Sequence, residues 1–211
     1  PTDMGVNMVG NCIVDDAAVR QASGQEIIRR YYDALCDEKK GKSNGDALAK
    51  LELLMRKAGV TTGERTVVQA ALEREAQTGA PAAAMELPDG RIVTGRTTDL
   101  LGASSALLLN ALKALAGLDD EIHLISPHAL EPIQHLKVDH LGNRNPRLHT
   151  DETLIALSIC AATNPMAELA MEQLSKLRGC EVHSSVILSA VDEKTFKRLG
   201  VNLTCQPRYK G

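Results

Sequence analysis

The sequence predicts an α/β fold of the α+β kind, in which an N-terminal helical subdomain precedes a three-layer α/β/α domain with a mixed sheet. Two observations support this prediction. Apolar residues recur at helical spacing through residues 17–79, and from residue 81 onward runs typical of strands alternate with runs typical of helices. We therefore divide the 211 residues into an extended arm plus helical subdomain, 1–80, and an α/β domain, 81–211.

The first part of the chain combines an arm with three helices. Residues 1–16 hold Gly5 and Gly10 among apolar residues, which is too glycine-rich for a good helix and indicates an extended arm or strand. Helical spacing follows in 16–38, 46–59 and 63–79. The last two segments end in glycine, the residue that most often terminates a helix.

The second part opens with a β-hairpin. Two short apolar runs flank Pro88-Asp89-Gly90, where Pro presets φ and Gly accepts a positive φ. An apolar helix then ends at Gly117. Further strands are predicted in 121–126, 181–188 and 201–205, and further helices in 127–142, 150–164, 165–179 and 191–200.

Composition restricts the classes of partner. The net charge is −3 and aromatic residues make up 2% of the chain, so we expect neither a basic track for nucleic acid nor exposed rings for base stacking. The apolar run at 154–162 has only nine residues, too few to cross a membrane. Five scattered cysteines without a CxxC pair favour reduced thiols and a cytoplasmic location.

The strongest candidate site is the segment HLGNRNPRLHTDE, residues 140–152. Its cationic and amide side chains precede Thr150, a credible N-cap for the next helix, whose N–H groups and positive field attract anions. The predicted anion ligands here are Asn143, Arg144, Asn145 and Arg147. His149 is the candidate proton carrier, because an imidazole titrates near neutral pH. The alternative is a structural loop in which both arginines pair with neighbouring acids.

A second candidate lies at the start of the apolar helix after the hairpin. Thr98, Ser104 and Ser105 flank Gly102 there, and their hydroxyls together with backbone N–H groups form a predicted phosphate-binding set. The alternative is ordinary helix capping by Thr98 or Asp99, which is the commoner use of such residues.

Histidines supply a third candidate. His128, Glu131 and His135 share one helix face, and a divalent metal can use two imidazoles and a carboxylate. The alternative, a polar solvated stripe, is favoured because Pro132 interrupts the pattern and no HExxH motif occurs in the chain. We predict no metal ligands, and the sequence does not identify a cofactor.

Residues 81–120 resemble the opening of the cytidine-deaminase fold, in which a hairpin of the form PAAxxxxDGRIxxG leads into a buried helix. The resemblance implies that topology for the α/β domain. It does not extend to the zinc site, because the first helix begins GASS and the second SPHAL, without the required thiolates or glutamate. Deaminase activity is therefore rejected.

Nearly the whole chain resembles the C-terminal portion of a bacterial family of uncharacterised conserved proteins, uncharacterised protein family 0371. Four long stretches give this resemblance: PTDMGVNMVG, QEIIRRYYDALC, ELPDGRIVTGRTTDLLGASSALLLNALKALAG and LKVDHLGNRNPRLHTDETLIALSICAATNP. The resemblance implies a preceding N-terminal α/β part with a glycine-rich turn like a phosphate loop. It implies no established function, and the protease label sometimes given to the family lacks its HExxH motif here.

Three functional hypotheses follow. In the first, the chain is the ligand-binding or catalytic half of a cytoplasmic enzyme for a phosphorylated or nucleotide-like small molecule, with Arg144 and Arg147 holding the anion, Thr98 and Ser104 assisting, and His149 moving a proton. In the second, it is a non-catalytic module that builds a homo-oligomer around the preceding part of the same protein. In the third, it is a metal-dependent hydrolase that uses histidines between residues 123 and 149.

Overall fold

The structure is a computed structural model that describes residues 16–43 and 45–209. The predicted arm lies outside the described residues, apart from its last residue. The contacts divide the chain into two compact units, with the boundary between Arg65 and Thr66. The sequence predicted this division one helix later, near residue 80. The helix between the two positions, Thr66–Thr78, packs on the first strand of the second unit.

In its described residues, 16–43 and 45–65, the first unit contains two helices that pack on each other, α1 (Asp16–Lys39) and α2 (Asp46–Ala58), followed by a short 3₁₀ turn, Thr62–Glu64. Helix α2 ends at Gly59, whose φ of 68° is the left-handed conformation expected of a glycine C-cap. The predicted end of this helix is therefore confirmed.

The second unit contains the remaining described elements. Its six helices are α3 (Thr66–Thr78), α4 (Ala103–Ala116), α5 (Pro127–His135), α6 (Thr150–Ala161), α7 (Pro165–Met171) and α8 (Ala190–Leu199). Its four strands are β1 (Ala82–Glu86), β2 (Ile92–Arg96), β3 (Glu181–Ser184) and β4 (Asn202–Cys205).

The strands form a mixed sheet in the order β2-β1-β3-β4. Strand β1 is antiparallel to both of its neighbours, with Ala83 opposite Gly95 on β2 and opposite Ser184 on β3, whereas β3 and β4 are parallel. The predicted hairpin and mixed sheet are confirmed, and Gly90 supplies the positive φ of the hairpin turn at 82°. The resemblance to the deaminase topology stays a prediction.

The two faces of β1 place the helices in separate layers. Ala84 packs with Val67 and Ala71 of α3 on one face. Ala83 and Met85, which alternate with it, join the main core formed by α4, α6, α7 and α8 on the other face. The α/β/α arrangement predicted from the sequence is therefore present.

Gly95 sets the distance between α4 and the sheet. A Cβ atom at this position would lie 2.2 Å from the backbone nitrogen of Leu107 and 2.5 Å from its Cα. Only a residue without a side chain permits this approach, so Gly95 fixes where α4 runs and where its N-terminus lies.

Three predicted elements differ from the structure. Residues 121–126 form turns rather than a strand, although Leu124 and Ile125 are buried in the main core. Helix α5 passes at residue 136 into a π-helical turn, Leu136–His140, and the helix predicted for 165–179 ends at Met171. In the first case the apolar pattern reported burial correctly but not the backbone conformation, whereas Leu136 and Leu141 around the π-helical turn are exposed.

Candidate functional site

A cavity of about 440 Å³ lies in the second unit, where the loop before α6 meets the N-termini of α4 and α8. Most of the residues predicted as a site from the sequence contribute to its wall. The lining residues used below are Gly102, Ala103, Ser104, Arg144, Asn145, Arg147, His149 and Asp192. The two candidate segments, 98–105 and 143–149, therefore belong to one site.

Helix α4 presents an open N-terminus to this cavity. Gly102 is its N-cap and has no side chain to accept a hydrogen bond from the first turn. Within the described part of the chain, the N–H groups of Ala103, Ser104 and Ser105 have no acceptor. Such a helix end carries a positive field and directed donors, the two features that bind anions.

The two serines in this turn have different surroundings. Ser105 is fully buried and donates its hydroxyl to the backbone oxygen of Leu148 at 3.0 Å. Ser104 is 3% exposed and lines the cavity, and its hydroxyl has no partner in residues 16–43 and 45–209. The Ser104 hydroxyl is open to the cavity and can donate to a molecule there, whereas the hydroxyl of Ser105 has a structural bond.

Backbone pairing joins the two segments that line the cavity. Leu101 and Leu148 form an isolated parallel bridge, in which the N–H of Leu148 donates to Leu100 at 3.0 Å and the N–H of Gly102 donates to Leu148 at 3.3 Å. The bridge places His149 beside the open end of α4. It is a tertiary contact across more than forty residues, so local sequence patterns do not reveal it.

His149 forms a pair with Asp192 at the start of α8. Its Nδ1 lies 3.1 Å from Asp192 Oδ2, and its ring is partly exposed to the cavity. Because an ionised carboxylate only accepts hydrogen bonds, Nδ1 must carry the hydrogen in this contact. The other ring nitrogen, Nε2, has no partner among the described residues and is the atom available for proton exchange.

The pair shifts the pKa of each partner. The hydrogen bond from His149 to Asp192 raises the pKa of the imidazole above its ordinary value of 6.5, and this effect outweighs the lowering caused by burial. Burial alone would raise the pKa of Asp192, but hydrogen bonds from His149, the Thr150 backbone and Ser189 together lower it. The imidazole of His149 therefore keeps its proton to a higher pH than a free imidazole does.

Ser189 completes this cluster, but not as a nucleophile. Its hydroxyl donates to Asp192 Oδ2 at 2.8 Å and accepts the N–H of Asp192 at 3.2 Å, so it caps helix α8. It also lies 3.3 Å from Nδ1 of His149. A hydrolytic triad needs serine and aspartate on opposite ring nitrogens, and here both contact Nδ1.

The N-terminus of α6 is closed by the protein's own carboxylates. The N–H and the hydroxyl of Thr150 both donate to Asp192 Oδ1 at 2.9 Å, and the N–H of His149 donates to Glu152 at 2.8 Å. The N-cap of α6 is His149, so the prediction that Thr150 caps this helix is wrong. The N–H groups of His149, Thr150 and Glu152 are thus already paired with carboxylates of the chain.

A buried ion pair supports the same loop. Lys137 is 4% exposed, and its ammonium donates to Glu152 Oε2 and to the backbone oxygen of Arg147, both at 2.7 Å. Lys137, which lies in the π-helical turn, thus binds the backbone of the loop before α6. Through its ion pair with Glu152 it also contacts the first turn of α6. These two residues position His149 but do not line the cavity.

The two predicted arginines take different roles. Arg147 is half-buried and donates Nε to the backbone oxygen of Thr98 at 2.6 Å, with one terminal nitrogen 4.0 Å from the exposed Asp99. Arg144 is exposed, lines the cavity, and forms no ion pair within residues 16–43 and 45–209. Arg147 therefore ties two loops together, whereas the guanidinium of Arg144 is the one available to a ligand.

The remaining predicted ligands have mainly local roles. Asn143 is exposed and does not line the cavity, and Asn145 lines it while its side chain accepts the N–H of Arg147 at 3.2 Å. The hydroxyl of Thr98 accepts the N–H of Leu101 at 3.1 Å, which is the capping alternative considered for it. The structure thus brings together Ser104, Arg144, Arg147 and His149, and leaves Thr98 and Asn143 outside the wall.

The histidine face on α5 makes only weak contacts. His128 lies 3.9 Å from Glu131, and His135 pairs with Asp139 at 2.8 Å. In the described part of the chain, no three histidine, cysteine, aspartate or glutamate side chains are grouped closely enough to hold a metal ion. The same residues contain no helix that is both long and apolar enough to cross a membrane.

Sequence reasoning missed Asp192 and Ser189, which orient His149 from 43 and 40 positions away. The local signal was a serine followed three residues later by an aspartate at the start of a helix, which predicts a cap. Nothing in that signal indicates a partner on another loop. Lys137 and Glu152 were missed for the same reason.

The fold and the cavity together define an α/β domain with a cavity that lies between an open helix N-terminus and a histidine–aspartate pair. A family model described as domain of unknown function DUF1846, C-terminal, matches residues 63–211, and its N-terminal counterpart matches residues 1–59. The chain belongs to this family. The predicted membership of an uncharacterised conserved family is thereby confirmed, and the family descriptions state no activity.

Close relatives occur in several bacteria. The chain is 57% identical over 209 residues to a UPF0371 protein of Corynebacterium urealyticum and 55% identical over 210 residues to one of Corynebacterium glutamicum. It is 51% identical over 210 residues to a UPF0371 protein of Streptococcus thermophilus. The matches cover 99–100% of this chain but 42% of each relative, so the chain spans less than half of their length.

Proposed function

We propose that the second unit binds a phosphorylated or nucleotide-like small molecule in the 440 Å³ cavity, and that His149 exchanges a proton with it. The observation that carries the proposal is the open N-terminus of α4, where the Ser104 hydroxyl lines the cavity and has no partner among the described residues. Enzyme sites for small molecules commonly have volumes of about 300–1,000 Å³, and this cavity falls within that range.

The donors at α4 favour a phosphoryl group over other anions. Up to three backbone N–H groups and one hydroxyl converge there, and Arg144 adds a planar guanidinium with parallel N–H groups. A phosphate has three terminal oxygens and can use all of these donors. A carboxylate has only two oxygens and would leave donors unused.

The proton chemistry follows from the His149–Asp192 pair. Asp192 fixes the ring through Nδ1 and raises its pKa, which leaves Nε2 as the atom that gives a proton to the bound molecule or takes one from it. When protonated, the ring also adds positive charge beside Arg144 and Arg147, and this strengthens attraction for a dianion.

Isothermal titration of the 211-residue chain with inorganic phosphate and with ribose 5-phosphate tests the proposal. We expect both to bind, and we expect Ser104→Ala and Arg144→Gln each to weaken binding about tenfold, because each removes a direct donor. Ser105→Ala and Arg198→Gln are the matched controls: Ser105 bonds to the backbone, and Arg198 is an exposed residue near the end of α8.

Two outcomes contradict the proposal. One is equal affinity in Ser104→Ala and Ser105→Ala, which would mean that the open helix end is not the binding site. The other is an absence of binding by the unaltered chain at millimolar phosphate. The proton role is tested separately with His149→Gln, which should make ribose 5-phosphate affinity less dependent on pH without abolishing binding; the dependence that remains is that of the phosphate itself, whose second pKa is about 6.

The second candidate function is assembly into a homo-oligomer. It is favoured by an apolar surface on α6 and α7, where Ile155, Ile159, Met166 and Leu169 are between 39% and 67% exposed. A helix that is apolar on both its buried and its outer face usually packs against something on each side. Analytical ultracentrifugation across a hundredfold concentration range, with Ile159→Glu as the variant, tests this: a mass that stays monomeric excludes self-assembly through this surface.

A further inference from the structure

A second cavity of about 200 Å³ lies along α4, further from its N-terminus than the anion site. Most of its wall consists of apolar side chains, including Leu100, Leu109, Ile122 and Leu130. Apolar protein cavities of about 150 Å³ accommodate a molecule of the size of benzene. The space is therefore sufficient for an aliphatic group of about four to six carbons.

The wall of this cavity includes one buried cation, Lys113. Its residue is 8% exposed, and its ammonium donates to the backbone oxygen of Asp120 at 2.6 Å. In residues 16–43 and 45–209 no carboxylate lies within ion-pair distance of it. An ammonium has three donors, so two remain beyond the bond to Asp120.

A buried charge without a counter-ion is unfavourable in an apolar environment, and an anionic ligand would supply the missing charge. Asn110 also lines the cavity, with one N–H bonded to the backbone oxygen of Thr94 at 2.9 Å. It leaves a second N–H and a side-chain oxygen on the same wall. The polar side chains of the wall are thus Asn110, Lys113 and His123, and the other lining residues are apolar.

We propose that this cavity binds a short aliphatic carboxylate, with the carboxylate on Lys113 and the alkyl chain among Leu100, Leu109 and Ile122. The site is distinct from the anion cavity, since the two share no lining residue. A cavity of this volume, with a single cationic side chain and a mainly apolar wall, favours a monocarboxylate of four to six carbons over a phosphate ester.

Saturation-transfer NMR and calorimetry of the 211-residue chain with 4-methylpentanoate test the proposal. We expect binding to be at least tenfold tighter than that of acetate or of the neutral 4-methylpentan-1-ol, because only the branched acid satisfies both parts of the site. Lys113→Met, which keeps the apolar stem, should weaken binding at least tenfold. Lys194→Met, at an exposed position on α8, should leave it unchanged.

A second variant covers the case in which Lys113→Met does not fold. Leu109→Phe keeps Lys113 and reduces the free volume, so it should weaken 4-methylpentanoate at least as much as it weakens acetate. Arg144→Gln must leave 4-methylpentanoate binding intact. If Arg144→Gln abolishes it, or if Lys113→Met and the unaltered chain bind equally, the acid is not bound at Lys113 and the proposal is overturned.

Discussion

Helices α4 and α6 both begin at the same cavity, but their N-termini are in opposite states. The first turn of α6 donates to Asp192 and Glu152, carboxylates of the chain itself. The first turn of α4 follows a glycine and has no such acceptor among the described residues. The two helix ends therefore differ: Asp192 of α8 and Glu152 of α6 stabilise the loop and orient His149, whereas the first N–H groups of α4 have no acceptor among the described residues.

The difference shows that a helix N-terminus marks an anion site only when its donors are free. Serine, threonine and aspartate at a helix start do not distinguish the two cases, because the acceptor that closes α6 lies on α8. Whether the donors of a helix start are free is therefore read from the tertiary contacts, as at Ser104, and not from the composition of the loop.

The largest expected loss of stability comes from a substitution at Gly95, which would displace helix α4 and its N-terminus. Gly95→Ala places a methyl group within 2.2 Å of the α4 backbone, so the helix or strand β2 must shift. We expect a loss of about 3 kcal/mol or more in the free energy of unfolding, measured by urea denaturation. Gly63→Ala is the control, since its methyl group would meet nothing closer than 3.6 Å; equal losses in both variants would show that close packing at Gly95 is not the cause.

Removing the acid that closes α6 should have the next largest effect. Asp192→Ala deprives His149, Ser189 and two donors of Thr150 of their acceptor, in a position that is 7% exposed. The expected loss in unfolding free energy is about 2–3 kcal/mol. Asp151→Ala, which removes an exposed acceptor from the same turn, should cost less than about 1 kcal/mol. Similar losses for the two variants would mean that Asp192 does not hold the turn.

The pH dependence of stability tests the His149–Asp192 pair directly. The pKa of His149 is raised on folding, so its contribution is complete below 6.5 and is lost as pH rises through the folded pKa. The unfolding free energy should therefore decline above pH 6.5 in the unaltered chain, and should decline less in His149→Gln. If the unfolding free energy falls equally steeply with pH in both proteins, the His149–Asp192 pair is not the cause of the decline. The lowered pKa of Asp192 affects stability in a separate pH range: its contribution to the unfolding free energy is lost as the pH falls below 3.8.

The smallest effect concerns the two neighbouring serines of α4. Ser105→Ala breaks the bond to Leu148 and should cost about 1 kcal/mol in unfolding free energy. Ser104→Ala removes a hydroxyl without a described partner, so the change should stay within about 0.5 kcal/mol. Thermal denaturation of both variants measures the difference. A larger loss at Ser104 than at Ser105 would show that the hydroxyl of Ser104 has a structural role.

Features encoded within a few residues were predictable from the sequence. The turn at Pro88-Asp89-Gly90 predicted the hairpin, and glycine predicted the end of α2, because both signals depend on local backbone conformation. Residues 121–126 were predicted as a strand since Leu124 and Ile125 are apolar, yet these side chains enter the core from turns. Apolar patterning reports burial more reliably than it reports hydrogen-bonded pairing.

The candidate site was predictable only in part. The sequence pointed to Arg144, Arg147, His149 and Ser104 because such residues clustered near helix starts. It did not separate Arg147, which holds Thr98, from Arg144, which lines the cavity, and it did not identify Asp192. Those distinctions depend on contacts between segments more than forty residues apart, which no local pattern contains.

The backbone bridge between Leu101 and Leu148 has a consequence for how a ligand can enter. Because the N–H groups of Gly102 and Leu148 bond across the same two segments, neither loop can swing outward without breaking both bonds. The amide hydrogens of these residues should therefore exchange with deuterated solvent at a common slow rate, set by one concerted opening. The cavity between these segments is therefore preorganised, and the proposed ligand would enter through its existing opening without separation of the two segments.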